Sequence, residues 1–212
     1  MDILFTITLL ILIVSLIFII LAYWSYSSPS QSDQVINLEP QIREIFISDS
    51  HLQRQLIMET NLNNKNNLLT INRVSDNLKC LTKLLIKVFG ITTTQRLENL
   101  FQSRHDIIRE YYYNKHQQIN DLEDQTLDQL RAINQDLVQN IIFQVQDNNQ
   151  QTLYDLLTMY DRELINQGRN YWEERYDLSA NSAHSALELA KRLGSSLASI
   201  LNQNQLLIMV QT

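Results

Sequence analysis

The chain has 212 residues and a formal net charge of −6, from 17 Lys and Arg against 23 Asp and Glu. Nucleic-acid binding relies on Lys and Arg to neutralise phosphates, so this acidic balance argues against a nucleic-acid partner. All-β proteins need turn residues at short intervals, whereas this chain has three glycines and two prolines. The composition therefore predicts an all-α fold. The single cysteine, Cys80, excludes an internal disulfide and a cysteine-rich zinc site.

The most apolar stretch runs from Ile3 to Trp24 and contains no charged residue, Gly or Pro. About 20 apolar residues in a helix cross a hydrocarbon layer of ~30 Å, so this stretch is predicted to be a transmembrane anchor. It is longer than the apolar part of a cleavable signal peptide and lacks a basic segment before it, which favours a retained anchor. The anchor residues expected to meet lipid or headgroups are Ile3, Leu10, Ile17, Leu21, Tyr23 and Trp24.

The anchor predicts a single-pass membrane location, with the lipid bilayer as one partner. It does not specify the side of the membrane, because the first basic residue, Arg43, lies far from the helix end. The lone cysteine and the lack of an Asn-x-Ser/Thr glycosylation acceptor favour the cytosolic side. The predicted organisation is an anchor (residues 1–24), a flexible Ser-rich spacer (25–39) and an α-helical bundle domain (40–212).

Apolar residues at three- and four-residue steps predict five or six helices in the bundle domain. The first begins near Pro40, and the second ends at Gly90, a residue typical of helix C-termini. Burial of the second helix's apolar seam inside the bundle is favoured over self-association through it. Cys80 is expected to be buried beside this seam, which consists of Ile71, Val74, Leu78, Leu81, Leu85 and Val88.

The helical pattern then continues from Gln95 to about residue 146, which would be about 75 Å of helix and too long for this domain. A break is therefore predicted between Tyr113 and Gln118. A further helix begins near Leu153, with a kink expected at Gly168. The last helix, about residues 179–202, carries a ridge of small side chains that predicts a close helix–helix approach: Ala186, Ala190, Gly194 and Ala198.

No familiar catalytic or metal-binding motif occurs in the sequence. His184 and Glu188 lie four residues apart and are candidate metal ligands, and His105 is a third candidate, although ordinary helix positions are favoured for all three. The run Tyr111–Tyr113 is expected to belong to the core more than to a cofactor cleft. The sequence therefore predicts no catalytic residue and no cofactor.

Two segments carry a family resemblance: Thr92 to Tyr112, and Trp172 to Leu193, with Ala190 placed 18 residues after Trp172. They resemble a family of small bacterial helical-bundle proteins that lack an established activity and often carry enzyme-like names. The resemblance implies a helical bundle and no particular reaction. The chain departs from the family pattern in keeping only His184 where two histidines are usual.

These observations predict a single-pass, membrane-anchored helical protein with a non-catalytic structural or interaction role, as a scaffold, an assembly factor or an envelope component. A protein partner or self-association is expected. The alternative is a tethered helical-bundle enzyme or a metal- or cofactor-binding protein, whose site would use His105, His116, His184 and Tyr111–Tyr113. Three histidines that converge with carboxylates in one pocket would favour this alternative.

Overall fold

Five helices and no strand occur within the residues that the computed structural model describes, which are 37–60, 65–119, 122–142 and 150–211. The prediction of an all-α fold is confirmed. In chain order the helices are α1 (Glu39–Thr60), α2 (Lys65–His116), α3 (Glu123–Ile142), α4 (Gln150–Trp172) and α5 (Tyr176–Gln211).

The predicted single-pass membrane location has to be corrected. Across the described ranges, no helix is both long enough and apolar enough to cross a membrane. The physical reason is that these helices are amphipathic, with charged residues along their exposed faces. The predicted anchor, Ile3 to Trp24, lies outside the described residues, and so do residues 25–36 of the predicted spacer.

Helix α2 is divided at Gly90, whose φ of 74° and ψ of 176° are not helical. We call the two halves α2a (residues 65–89) and α2b (residues 91–116). A left-handed φ is accessible to glycine without a steric penalty, which explains why the chain turns at this residue. The predicted helix end at Gly90 is therefore confirmed as a kink.

The break predicted between Tyr113 and Gln118 is also found, since α2 ends at His116 and Gln118 has a φ of 59°. The Ile119 amide donates to the Asn114 carbonyl at 3.0 Å, which satisfies one of the last free carbonyls of the helix. Helix α4 ends in the same way, with Glu174 at a φ of 58°. Two non-glycine residues thus hold the left-handed conformation that closes a helix.

The small ridge of α5 packs against α1. Ala186, Ala190 and Ala198 are fully buried. At Gly194 a methyl group would lie only 2.6 Å from the Cα of Arg43, so the two helix backbones meet at this point. The predicted close approach is confirmed, because only a residue without Cβ fits such a crossing.

The main remaining contacts complete the bundle: α5 also packs on α4, α2 packs on α1, α3 and α4, and α3 packs on α4. The α2a seam is largely buried among these helices, as predicted.

Cys80 differs from its prediction, because its side chain is exposed although Leu78 and Leu81 on either side are buried. The kink expected at Gly168 is not found, since α4 continues through this residue. A methyl group at Gly168 would lie 2.7 Å from the Tyr112 ring. This close contact is the packing role of Gly168 within the helix.

Candidate functional site

Four helices have polar residues at positions within the series of buried apolar residues, so these polar side chains lie in the core. On α2b the buried stripe reads Leu97, Phe101, Arg104 and Ile108. The same spacing places Asp49 and Gln53 on α1, Asn134 on α3 and Asp161 on α4. The buried polar cluster, as we name it, consists of Asp49, Gln53, Arg104, His105, Asn134, Tyr160 and Asp161.

Sequence analysis singled out only His105 among these residues. A usable signal was present, since a charged residue at an apolar stripe position is expected to be buried and therefore paired. Spacing alone does not show which residues on other helices would pair with it. The partners of Arg104 come from α1 and α4, 55 positions before and 57 positions after it in the sequence.

Three side chains, each on a different helix, contact the Asp49 carboxylate. The Tyr160 hydroxyl donates to Oδ2 at 2.9 Å, and Nε2 of His105 lies 3.0 Å from Oδ1. Gln53 donates to Oδ1 from one turn further along α1, at 3.4 Å. Burial alone would raise the pKa of Asp49, but His105 and then Arg104 outweigh it and lower the pKa to about 2. Asp49 is therefore a buried, ionised carboxylate.

Arg104 lies between two carboxylates and is 1% exposed. Its Nη2 contacts Asp161 Oδ1, and its Nη1 lies 3.9 Å from Asp49 Oδ2. The guanidinium carbon also lies 5.1 Å from the centre of the Tyr160 ring, within cation–π range. Burial disfavours the charge, but Asp161 and Asp49 together keep the pKa of Arg104 above its ordinary value.

Asp161 completes the connection to α3, since Asn134 Nδ2 donates to its Oδ2 at 2.7 Å. Burial raises the pKa of Asp161 above its ordinary value, and Arg104 offsets only part of this effect. Two carboxylates share one guanidinium, and His105 adds a further contact to one of them, Asp49. Pairing between the buried charges compensates most of their desolvation cost.

The cluster is closed to solutes. His105 is its most exposed member, at 9%. A catalytic acid or base has to come within hydrogen-bonding distance of the atom it protonates or deprotonates, and here these groups instead contact one another. Some capacity is unused, because His105 Nδ1, Arg104 Nε and Asn134 Oδ1 have no hydrogen-bond partner among the described residues. The arrangement suits the locking of four helices more than turnover of a substrate.

The predicted metal ligands do not come together. His105 lies in the core, whereas His184 and Glu188 lie exposed on α5. The Glu188 carboxylate accepts a hydrogen bond from Lys191 at 2.5 Å, which lowers the pKa of Glu188. Within the described residues, no three His, Cys, Asp or Glu side chains are arranged to hold a metal ion.

His184 instead lines a cleft of about 140 Å³ between α1 and α5. A second histidine, His51, faces it from α1 together with Arg54. Neither histidine, nor Arg54, forms an ion pair with any carboxylate in the part of the chain that the structure describes. This α1–α5 cleft is separate from the buried polar cluster.

His116 packs on the ring of Trp172, with 4.9 Å between ring centres. Tyr111 and Tyr112 are buried, as expected for core aromatics, and the Tyr112 hydroxyl donates to the Leu164 carbonyl at 3.3 Å. Tyr113 is exposed and so differs from the rest of its run. The residues suggested for a cofactor site thus occupy several separate environments.

Comparisons with protein families, with curated proteins and with solved structures found no match to this chain. The resemblance to small bacterial helical-bundle proteins accordingly stays a prediction.

Proposed function

We propose that the chain is a non-catalytic helical protein that acts as a structural or interaction component through a protein partner or a second copy of itself. The observation that carries this proposal is the burial of the Asp49, Arg104, His105 and Asp161 side chains in one closed cluster. This buried group of charges therefore supports the rigidity of the bundle. A rigid helical body is well suited to present fixed surfaces to another protein.

One exposed surface has the composition of a protein contact. The end of α2b and the α4–α5 turn bring together four aromatic side chains: His116, Tyr171, Trp172 and Tyr176. Tyr113 lies three residues before His116 on α2b, and we call these five residues the aromatic end. The Tyr171 ring lies 5.0 Å from Trp172 and 5.7 Å from Tyr176, centre to centre. Tyr113 and Tyr176 are 58% and 59% exposed. Tyrosine and tryptophan are enriched in protein interfaces, where they supply large contact areas.

Proximity labelling from the full chain in its native cell tests this proposal. The wild type should label a defined set of proteins, or its own copies, that a freely diffusing labelling enzyme does not. A Tyr113→Ser/Tyr176→Ser variant should lose that labelling. The matched control is Met159→Ser, which removes an exposed apolar side chain from the middle of α4 and should keep it. Labelling that does not differ from the diffusing enzyme would contradict an interaction role.

The enzyme alternative has a separate test, since it requires solutes to reach His105. Diethyl pyrocarbonate should modify the exposed His51 and His184 well before His105 in the native chain. Mass spectrometry of the modified peptides separates the three sites. Equal modification rates at His105 and His51 would mean that the cluster opens in solution, and the alternative would then be preferred.

A further inference from the structure

The α1–α5 cleft contains hydrogen-bond donors without a matching carboxylate. From α1 it is lined by Ser50, His51 and Arg54, and from α5 by His184. An arginine side chain offers only donors, and imidazole and hydroxyl groups can each donate at least one hydrogen bond when neutral. The set therefore favours an acceptor-rich, negatively charged ligand.

Small side chains make room for that ligand. Ala180 and Ala183 form part of the α5 wall, and Leu187 closes it with an apolar surface. Residues at three- and four-residue steps share one helix face, so these three and His184 all face α1. The cleft holds about 140 Å³, well above the ~10–15 Å³ that one water molecule needs by the same measure of volume. It therefore has room for a phosphate group.

Charges near the cleft do not already satisfy its donors. Asp49 directly precedes Ser50, but its carboxylate points into the core and bonds with His105 and Tyr160. Glu188 lies one turn beyond His184 and attracts it electrostatically, but the hydrogen bond that Glu188 accepts comes from Lys191. The positive charge of Arg54 is consequently available to a ligand. A planar guanidinium can donate to two oxygens of either a carboxylate or a phosphate. Only the tetrahedral phosphate has further oxygens that can accept hydrogen bonds from the opposite wall of the cleft.

We propose that the α1–α5 cleft binds a phosphate group, either as free inorganic phosphate or as a phosphomonoester. Arg54 makes the charge-assisted contact from α1, His184 donates from α5, and His51 and Ser50 complete the site. The proposal is independent of the proposed function, since a bound phosphate needs neither a protein partner nor an open polar cluster.

Isothermal titration of the full chain at constant ionic strength tests the site, with inorganic phosphate and O-phosphoserine as separate ligands. Saturable binding of either ligand is expected, and binding of the second identifies an ester as an acceptable source. Because charge-assisted hydrogen bonds contribute more than neutral ones, Arg54→Gln should weaken binding by roughly tenfold to a hundredfold. Ala183→Leu, which fills the cleft, should abolish it.

Arg96→Gln is the matched control, because Arg96 is an exposed arginine on α2b that does not line the cleft. Its phosphate affinity should equal that of the wild type. Helical circular dichroism of each variant shows that the fold is intact. No saturable binding to either ligand, or an Arg54→Gln affinity equal to that of Arg96→Gln, would overturn the proposal.

Discussion

Replacing Arg104 with methionine removes the one guanidinium that two buried carboxylates share. Asp161 would keep only its hydrogen bond from Asn134, so its cheapest response is to take up a proton. Protonating an aspartate with an ordinary pKa of about 3.9 costs about 4 kcal/mol at pH 7 and about 1.5 kcal/mol at pH 5. A buried ion pair is itself close to neutral in net free energy, so this protonation dominates the loss. We expect Arg104→Met to lower the free energy of unfolding by about these amounts.

Urea unfolding followed by helical circular dichroism measures the loss at both pH values. Arg109→Met is the matched control, because Arg109 lies on the same helix and pairs with Asp106 at the surface, at 2.9 Å. This exposed pair should contribute less than about 1 kcal/mol, with little change between pH 5 and 7. An Arg104→Met loss that is equal at the two pH values, or as small as that of the control, would refute the assignment of a buried charge cluster. Adding Asp161→Asn should restore about 1–3 kcal/mol of the loss.

Three further predictions follow from the geometry. Asp49 has its pKa lowered from 3.8 to about 2, so it should contribute about 2 kcal/mol of stability above pH 4 that is lost as the pH falls to 2. Asp161 has a pKa raised above its ordinary value of 3.8, so stability should fall as the pH rises from 3.8 through the raised pKa. Urea unfolding of Asp49→Asn and Asp161→Asn should therefore show pH slopes displaced in opposite directions from the wild type. Gly194→Ala should destabilise by about 1–3 kcal/mol in thermal unfolding because its methyl group meets the Arg43 backbone, although alanine is the better helix former. Glu174→Gly should stabilise by about 1 kcal/mol, because a left-handed φ strains a residue with Cβ; an unchanged melting temperature would contradict this.

Helix positions and ends were largely accessible from the sequence because they depend on neighbouring residues. The spacing of apolar side chains and the glycine at position 90 are local signals that extend over a few helical turns. The break after Tyr113 was predicted from the length that an unbroken helix would have. The close helix–helix approach at Gly194 could also be predicted from the sequence, because small side chains allow two helix backbones to approach whichever helix is the neighbour.

Pairing between helices was not accessible in the same way. Each polar stripe residue indicates a buried partner, but four helices supply several candidates, and only packing decides among them. Whether a given side chain of a helix is exposed likewise depends on how the helices pack together, which local sequence does not determine. Cys80 and Tyr113 both lie next to buried residues, yet both are exposed because none of the described helices covers their side of α2.

The rotation of α1 about its own axis is fixed from two sides, and the cleft depends on that rotation. Asp49 is held in the core by His105 and Tyr160, whereas Arg43 is pressed against Gly194 at the α5 crossing. Consecutive helical residues point about 100° apart, so a shift of one residue in register would withdraw Asp49 from its partners and place its neighbours in the core. The same register directs His51 toward α5, where the cleft lies. The buried polar cluster therefore fixes which residues of α1 line the α1–α5 cleft, where we propose that a phosphate group binds, although none of the cluster residues lines that cleft.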